Sequence, residues 1–560
     1  MANFNFSYAP GTSLSQMIGF ELAGRIWSSY LKDDITVNIH VQETTNLPPN
    51  VIGGALPGIN KQDYSPFRDK LTDDASSADD RQAVAALGRD GQFEGQFRLF
   101  NNSNSNSGRT LRGNKMNLAR ANVKALGIKT KNAETALDGY ILMRSLTGAT
   151  TWNYDFANNS VPANTLDFLS VAMHEIGHVL GFISGVDRPG WLSARVNTSQ
   201  ELKAYESSLK GRMEQTTALD MFRFSLKSGR KRDLALGGDA FFSIDNGNTA
   251  IASFATGKDT DEGGDGFQAS HWKGQGASIG IMKPLLSVGE RSRITGIDLR
   301  ALDVIGWDVA STGMNTPINL ASLLQQSKQA LAQRLFTSVS WMEANAGLAA
   351  QFLSQDRLKD IEAMIEESEV YEGRRNGGGS GTRGSWQEVL DLFAQEGLFS
   401  TLGDEIRLRG RRVRGSQRQE VLEGGIGDDK LTGLKGDDQL LGRGGADRLW
   451  GGQGNDDLQG QAGRDVLRGG QGDDILDGGE ADDLMLGGAG SDRFVFRPNS
   501  GFDRIRDFTP GEDKIQLGSG LTVDQLKIEQ RAQGTLVQAG DAAMLLQGIQ
   551  ANQLEASAFV

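Results

Sequence analysis

The order of apolar and polar residues over positions 1–310 predicts short strands mixed with helices. Both a strand period of two and a helical spacing of three to four apolar positions occur. The predicted elements are, in chain order, a strand at 3–8, a helix at 14–31, a strand at 34–42, a helix at 116–126, a strand at 138–144 and a helix from Thr165. We therefore expect residues 1–310 to form an α+β domain.

The pattern changes after this region. Residues 311–372 are rich in Ala, Leu, Gln, Glu and Lys and predict a segment of two or three helices. Residues 373–420 begin with the Gly-rich stretch GRRNGGGSGTRGS and predict a linker with a short helix from Trp386. Six arginines lie between Arg407 and Arg418. They indicate either a solvated linker beside an acidic neighbour or an anion site.

A strict repeat follows, in which eight nine-residue units run from Gly424 to Val495 without an insertion. Glycine is the usual residue at the first, second and fourth positions. The sixth position is aspartate in every unit: Asp429, Asp438, Asp447, Asp456, Asp465, Asp474, Asp483 and Asp492. The eighth position is Leu in six units, and Met485 or Phe494 in the other two. This region predicts a stack of identical structural units.

The spacing within each unit suits calcium. Glycines allow a tight turn that exposes backbone carbonyls, and the aspartate adds a hard anionic oxygen, so stacked turns can supply six to eight oxygen ligands. The apolar residue two places later is expected to point inward from a short strand. The units therefore predict a parallel β-roll with several calcium ions between its turns. Where Leu434, Arg443 or Ala481 replaces a glycine, we expect weak or empty sites.

These units resemble the RTX (repeats-in-toxin) nonapeptides, and the stretch 501–517 looks like the segment that closes such rolls. The resemblance implies an all-β RTX calcium-binding roll over 421–517, followed by a C-terminal cap and secretion signal over 518–560. It further implies export by the type I secretion machinery, an extracellular or cell-surface location, and folding of the roll by calcium outside the cell.

A different chemistry is indicated within the α+β domain, where His174, Glu175 and His178 form an H-E-x-x-H pattern. Residues four apart share one face of a helix, so both imidazoles can bind one zinc ion. Glu175 is then placed to hold a water molecule and act as the catalytic base. The apolar residues of this segment form a separate stripe, so the helix can pack against a core and still present these side chains.

A catalytic zinc needs a third protein ligand. The chain contains four histidines, which leaves His40 and His271 as candidates. His40 lies on the polar side of the predicted strand 34–42 and is expected to be a sheet-surface residue. His271 is therefore the expected third zinc ligand, and Asp187 is a rival through its carboxylate oxygen.

The stretch HEIGHVLGF resembles the leishmanolysin-like metzincins, in which a long insertion precedes the third histidine. In the common metzincin pattern that histidine falls at Ser184, a poor zinc ligand. His271 stands where the family's distant histidine occurs, Met282 follows like its Met-turn, and residues 296–307 resemble its final helix. The resemblance implies a metzincin-like zinc metalloprotease domain with Met282 packed beneath the zinc. The interval between His178 and His271 is longer than is usual in the family, and no Tyr follows Met282.

Metzincins bind an extended peptide along an edge strand of their sheet. By this resemblance the predicted strand 138–144 is a candidate for that edge, although the pattern fits an internal strand equally well.

The composition of the chain excludes some kinds of chemistry and disfavours some partners. The chain has no cysteine, which excludes disulfides and thiolate chemistry, and its net charge of -13 disfavours nucleic acid as a partner. No Sec-type signal and no membrane span are predicted. We predict a secreted zinc-dependent endopeptidase that acts on proteins or peptides and carries one zinc ion and several calcium ions. Two alternatives stay open: a calcium-dependent cell-surface or adhesion RTX protein with a protease-like domain, and a zinc hydrolase with a non-peptide substrate.

Overall fold

The protein forms two compact units, Met1–Ile406 and Arg407–Val560, in the computed structural model. The structure describes all residues except 46, 48–49, 100–106, 131–134, 147–149, 159, 187–212, 227–230, 236, 258–264, 266, 275–278, 311–317, 356, 358, 362–363, 365–403, 409–411, 426, 499, 519 and 541. The rival zinc ligand Asp187, the Gly-rich linker and the short helix predicted from Trp386 lie outside the described residues.

The helices and strands of the chain are numbered in chain order. The α-helices are α1 (Leu14–Tyr30), α2 (Tyr64–Asp74), α3 (Ala78–Ala85), α4 (Arg120–Ala125), α5 (Phe168–Val179), α6 (Gly296–Val304), α7 (Leu320–Arg334), α8 (Val339–Ala344) and α9 (Ala346–Leu353). The strands before residue 409 are β1 (Asn3–Tyr8), β2 (Thr36–Thr44), β3 (Val51–Pro57), β4 (Ile59–Asp63), β5 (Phe93–Leu99), β6 (Ser107–Gly113), β7 (Lys115–Ala119), β8 (Gly139–Arg144), β9 (Thr151–Asn153), β10 (Thr165–Asp167), β11 (Arg223–Phe224), β12 (Arg232–Asp233), β13 (Phe241–Phe242), β14 (Ala252–Ser253), β15 (Leu285–Leu286) and β16 (Asp404–Leu408). The strands after it are β17 (Arg412–Arg414), β18 (Val421–Gly425), β19 (Lys430–Lys435), β20 (Gln439–Gly444), β21 (Arg448–Gln453), β22 (Asp457–Ala462), β23 (Val466–Gln471), β24 (Ile475–Glu480), β25 (Leu484–Ala489), β26 (Arg493–Phe496), β27 (Phe502–Ile505), β28 (Lys514–Leu517), β29 (Lys527–Arg531), β30 (Gly534–Ala539) and β31 (Ala542–Gln547).

The first unit packs helices against a sheet. Strands β1, β2 and β8 are parallel, and β3 runs antiparallel to β8. Helix α1 begins at a capping box, in which Ser13 accepts from the Gln16 amide and the Gln16 side chain accepts from the Ser13 amide. Its apolar face contacts α5, and α5 in turn contacts β3. Helix α5 is therefore held between α1 and the sheet, so its position is set from two sides.

The predicted strand 138–144 is internal. It forms β8, which lies between β2 and β3 in the sheet. An edge role for it is therefore excluded, because both rows of its backbone hydrogen-bonding groups are already paired.

The predicted helix 116–126 is wrong in its first half. Residues Lys115–Ala119 form β7, which pairs antiparallel with β4, and only Arg120–Ala125 is helical. The apolar spacing in this stretch is compatible with either structure, and pairing with β4 decides for the strand.

The prediction that His40 lies at the sheet surface is also wrong. Its side chain is only 1% exposed, shares a 2.9 Å hydrogen bond with the Ser7 hydroxyl and stacks on the Tyr140 ring. The Tyr140 hydroxyl donates to the Gln42 side chain at 2.7 Å. The polar side of β2 is thus buried in a polar network, because these side chains satisfy one another instead of facing solvent.

The helices after residue 317 belong to the first unit. Arg334 of α7 forms a 2.9 Å ion pair with Glu21 of α1, and the Gln355 amide donates to the Tyr8 carbonyl at 2.7 Å. Leu331, Met342 and Leu353 are buried at 3% exposure or less. The helical segment therefore packs against the N-terminal sheet and helix.

The second unit is a parallel β-roll, as the repeat predicts. Alternate strands form two sheets, in the orders β17-β19-β21-β23-β25-β27 and β18-β20-β22-β24-β26-β28. The eighth position of every repeat is buried, in a column formed by Leu431, Leu440, Leu449, Leu458, Leu467, Leu476, Met485 and Phe494. Strands β29, β30 and β31 form an antiparallel cap, and β31 pairs with β27. The roll begins earlier than residue 421, because β17 pairs in register with β19.

Candidate metal centres

Helix α5 carries the first candidate site. Its N-cap is Asp167, whose carboxylate accepts from the Ser170 amide at 3.1 Å and forms a buried 2.6 Å ion pair with Arg291. Near its C-terminus, Gly181 adopts φ +110°, a left-handed conformation that glycine adopts without strain and that ends the helix. Every residue of α5 is buried, including His174, Glu175 and His178. The helix is therefore fixed at both ends and on all sides.

The structure brings His174, His178 and His271 together. The distance between the Nε2 atoms of His174 and His178 is 3.0 Å, and that between His174 and His271 is 3.2 Å. Within the described part of the chain, these three form the one group of at least three histidine, cysteine or acidic side chains with ligand atoms close enough for a metal. They are the three side chains that the sequence predicts as zinc ligands.

The hydrogen bonds of the three imidazole rings determine which nitrogen of each ring faces the centre of the histidine cluster. The Nδ1 atoms of His174, His178 and His271 lie 2.8, 2.7 and 3.2 Å from the carbonyl oxygens of Ile281, Phe182 and Gln268. Since a carbonyl can only accept, each Nδ1 carries a hydrogen, and each neutral ring directs the lone pair of Nε2 inward. Burial, together with the charges of His178 and Lys283, holds the pKa of His174 well below its usual range.

This donor set fits a zinc ion. Tetrahedral coordination with Zn–N distances of about 2.0–2.1 Å places the nitrogens roughly 3.3 Å apart, close to the 3.0 and 3.2 Å in the structure. Three inward lone pairs have no hydrogen to share, so a cation at their centre relieves their mutual repulsion. His174, His178 and His271 are the residues that would hold it.

Glu175 lies on the same helix beside strand β3, and its side chain is fully buried. The backbone of β3 approaches it closely, because a Cβ atom added at Gly53 would lie 2.9 Å from Glu175 Oε1 and 2.6 Å from Val171 Cγ1. Glycine at position 53 therefore leaves room for the Glu175 carboxylate. Sequence reasoning did not identify Gly53, since no local motif marks it.

Met282 packs directly against the helix turn between the two histidines. It is fully buried, and a Cβ atom at Gly177 would lie 2.4 Å from Met282 Sδ. The glycine between His174 and His178 thus makes space for the methionine. That Met282 packs beneath a zinc ion stays a prediction.

A buried carboxylate, Asp298, ties the loop of the third histidine to the Met282 turn. It accepts from Trp272 Nε1 at 2.9 Å, from the Ile281 amide at 3.0 Å and from the Thr295 amide at 2.7 Å. Its neighbour in the network, Trp272, directly follows His271. The capping pattern Thr295-x-x-Asp298 is visible in the sequence, but only the structure shows that the same carboxylate holds the two loops.

Ser184 lies outside the histidine cluster. Its hydroxyl donates to Asp220 Oδ1 at 2.6 Å, and the Gly185 amide donates to the other oxygen of the same carboxylate at 2.8 Å. The residue at the third-ligand position of the common metzincin pattern therefore serves the loop structure after α5.

The second candidate site is the column of sixth-position aspartates in the β-roll. In six of the eight, one carboxylate oxygen accepts from the backbone amide of the aspartate 18 residues earlier, as Asp465 does from Asp447 at 2.7 Å. Asp438 accepts in the same way from the Glu420 amide. The same bond links Asp429 to Asp447, Asp438 to Asp456, Asp456 to Asp474, Asp465 to Asp483 and Asp474 to Asp492. The eight predicted aspartates are thus aligned along the roll by its own backbone.

The other oxygen of these carboxylates is buried. Within the described residues it has no hydrogen-bond partner in Asp438, Asp447, Asp456, Asp465, Asp474, Asp483, Asp492 and Asp503. Burial, and next to it the neighbouring carboxylates, raises the pKa of Asp447 and Asp483 to about 8 and that of Asp465 and Asp474 to about 7. A column of buried anionic oxygens fits calcium, which prefers carboxylate and carbonyl oxygens.

Two aspartates extend this column beyond the eight units. Asp503 accepts from the Asp483 amide at 3.1 Å, and Asp513 accepts from the Asp492 amide at 3.0 Å. Sequence reasoning missed both as members of the column, because the nine-residue period ends before them. The sequence marks them only by their spacing, because Asp503 lies 20 residues after Asp483 and Asp513 lies 21 residues after Asp492.

The residues that replace glycine in the repeats keep the left-handed backbone of the turns. Leu434, Arg443 and Ala481 adopt φ values of 92°, 77° and 80°, and Gln461, which the sequence reading did not single out, adopts 74°. Such left-handed conformations cost non-glycine residues roughly 1–2 kcal/mol each. Stacking with neighbouring units therefore imposes the turn geometry.

Comparison with known families identifies the repeats. The RTX calcium-binding nonapeptide repeat, in four copies, matches residues 423–458 and 459–494. The chain thus carries RTX calcium-binding repeats in its C-terminal region, and proteins with such repeats are typically secreted. No curated protein sequence matches the chain significantly. In the described residues, every helix is too short or too polar to cross a membrane.

Two solved structures resemble part of the chain. The extracellular lipase LipA from Serratia marcescens is 17% identical, with a TM-score of 0.14, over 27% of this chain and 40% of the lipase chain. The AlgE6R3 subunit of the Azotobacter vinelandii mannuronan C5-epimerase is 28% identical, with a TM-score of 0.10, over 26% of this chain and 80% of that subunit. This chain therefore spans less than half of the lipase, and at these TM-scores neither likeness extends to the overall structure.

Proposed function

We propose that the protein is a secreted zinc-dependent endopeptidase of the metzincin type. The observation that carries the proposal is the convergence of three histidine Nε2 atoms, 3.0 and 3.2 Å apart, on the helix that also holds Glu175. Three neutral imidazoles leave a zinc ion with an open position for water or substrate, which is the arrangement of catalytic rather than structural sites.

When bound, zinc would polarise the scissile carbonyl and lower the pKa of a water molecule. Glu175 accepts the proton from the attacking water and delivers it to the leaving amine. The close approach of β3 at Gly53 holds the Glu175 side chain in place. The carbonyls of Ile281, Phe182 and Gln268 keep the three rings in the tautomer that directs Nε2 inward.

The RTX repeats support the remaining parts of the proposal. Export by the type I secretion machinery and an extracellular or cell-surface location follow from the repeats, and protein or peptide is the expected substrate. Calcium outside the cell would neutralise the aspartate column and complete the roll.

The test is casein hydrolysis by the full chain, combined with measurement of bound metals. Glu175→Gln should retain zinc and lose activity by roughly 10²–10⁴-fold, because a general base contributes that much. His271→Ala should lose both zinc and activity. Ser184→Ala is the matched control on the neighbouring loop and should keep its zinc.

Two results contradict the proposal. Equal activity of wild type and Glu175→Gln excludes the mechanism, and zinc retention by His271→Ala excludes the ligand set. Calcium binding without zinc or hydrolysis would favour the alternative of a calcium-dependent adhesion protein with a protease-like domain. Hydrolysis of an ester but not of casein would favour a non-peptide hydrolase.

A further inference from the structure

One outward face of the β-roll carries cationic side chains that lie outside both the hydrophobic core and the aspartate column. Strands β17, β19, β21 and β23 are neighbours in one sheet and pair in register. Their outward positions form two columns: Arg412, Lys430, Arg448 and Val466 in the first, and Arg414, Thr432, Trp450 and Arg468 in the second. We call Arg412, Arg414, Lys430, Arg448, Trp450 and Arg468 the basic face.

The side chains of the basic face are available to a partner. All five cations are exposed, and Trp450 is 50% exposed although tryptophan is usually well buried. The two columns contain no acidic residue. Among the residues that the structure describes, none of these five cations forms an ion pair with a carboxylate.

Three arginines elsewhere on the roll do pair with carboxylates. Arg443 pairs with Glu423 at 2.8 Å, Arg464 pairs with Asp482 at 3.6 Å, and Arg497 pairs with Asp477. The eight repeat units contain more acidic than basic residues. The basic face is therefore a segregated patch of positive charge on an acidic unit.

The fold does not require cations at these positions. In β17, β19, β21 and β23 the outward positions alternate with those of the core column and are separate from the aspartate column. Two of the six arginines between Arg407 and Arg418, namely Arg412 and Arg414, lie in β17 and extend the same columns. These two arginines thus belong to the roll, which favours an anion site over a solvated linker for this part of the segment.

We propose that the basic face binds a linear acidic polysaccharide. Neighbouring strands are about 4.8 Å apart, so the columns present a row of cations along the roll axis that suits a polymer with regularly spaced anionic groups. Trp450 lies between Thr432 and Arg468 in its column and offers the apolar face of its ring beside charged groups. A sugar ring with an apolar face and a polar edge fits this combination.

Two other polyanions fit less well. A membrane surface is bound by several apolar side chains inserted together with the cations, whereas the basic face has one large apolar side chain. Single-stranded nucleic acid is bound by a series of aromatic side chains on which successive bases stack, whereas the basic face has one aromatic ring.

The experiment measures binding of the calcium-loaded full chain to dextran sulfate, with unsulfated dextran as the neutral control. The test variant combines Arg414→Gln, Arg448→Gln and Arg468→Gln. The matched control combines Arg443→Gln, Arg464→Gln and Arg497→Gln, which removes the same charge from outside the basic face. We expect the test variant to bind about tenfold more weakly, because each exposed ion pair contributes only modestly, and the control to stay within about twofold of wild type.

Trp450→Ala provides a second variant that leaves the charge unchanged. It should weaken binding to dextran sulfate severalfold, since an interaction governed by charge alone would not respond to it. Calcium-dependent far-UV circular dichroism verifies that each variant folds. If the triple variant does not fold, Arg448→Gln alone should still weaken binding about twofold.

The proposal is overturned if the wild type does not bind dextran sulfate, or if the test and control variants weaken equally. It is also overturned if phosphatidylglycerol vesicles or a single-stranded oligonucleotide bind more tightly than dextran sulfate and depend on the same arginines. Zinc-dependent hydrolysis should be unchanged in all of these variants, because none of the substituted residues lies in the first unit.

Discussion

In the β-roll, hydrogen-bonded aspartates of the eight repeat units lie 18 residues apart in the sequence, whereas His271 lies 97 residues from His174. The roll builds its site from a short repeat, and each unit adds one carboxylate to a column that its neighbours continue. The histidine cluster is built once, from α5 and a distant loop. A repeated site should therefore respond gradually to single substitutions, and a site assembled once should respond sharply.

Removal of calcium should give the largest effect, and the two units should respond to it differently. In the full chain with chelator and added zinc, the buried aspartates lose their counterions and repel one another, so we expect residues 412–517 to lose hydrogen-exchange protection. Peptides from α1, α5 and β8 should keep theirs, because their core contains no repeat carboxylate. Unchanged protection of the roll, or equal loss in both units, would contradict this expectation.

Asp298→Ala should strongly impair the histidine cluster without removing a ligand. The carboxylate holds Trp272 and the amides of the Met282 turn, so His271 loses its fixed position. We expect zinc affinity to fall about 10–100-fold, as for other residues that orient metal ligands. The measurement is competition with a zinc chelator. Arg300→Gln on the same helix is the control, and an unchanged affinity in Asp298→Ala would show that the cluster forms without this link.

Asp465→Asn should have a smaller effect, because seven other repeat aspartates remain. The substitution removes one anionic oxygen and weakens a hydrogen bond to the Asp447 amide. We expect the calcium-loaded roll to stay folded, to bind one or two fewer calcium ions and to lose about 1–3 kcal/mol of unfolding free energy. Urea denaturation and calcium titration measure this, with exposed Arg464→Gln as the control. Complete unfolding would show that the other repeat aspartates do not compensate for the loss of one.

The smallest effect should be the pH dependence of the first unit's stability. Burial raises the pKa of Asp303 to about 7, with the Asp80 charge adding to it, and burial likewise raises that of Asp33 to about 7. The folded unit thus binds protons more tightly than the unfolded chain, so its stability falls as pH rises from about 4 to 7. At saturating calcium, the melting temperature should fall by a few degrees over this range. Asp303→Asn should reduce this dependence of the melting temperature on pH. An unchanged dependence would show that Asp303 does not cause it.

The wrong predictions in the first unit, for the position of His40 and for the helix at 116–126, have a common cause. The alternation in β2 identified the strand, but the position of His40 in a buried polar network depends on Ser7 and Tyr140, which come from other strands. Likewise, Lys115–Ala119 is a strand because it pairs with β4. Residue spacing describes a local preference, and contacts between distant segments decide between local alternatives.

The sequence by itself determined the roll and most of the histidine cluster. A fixed nine-residue period specifies which side chains face the core and which face the turns, because every unit has identical neighbours. The four-residue spacing of His174 and His178 on a helix determined two of the three histidines in the same local way. Only the tertiary structure decided that His271 joins them, that Asp298 holds its loop, and that Gly53 and Gly177 leave room for Glu175 and Met282. These contacts join segments far apart in the chain, and no local pattern records them.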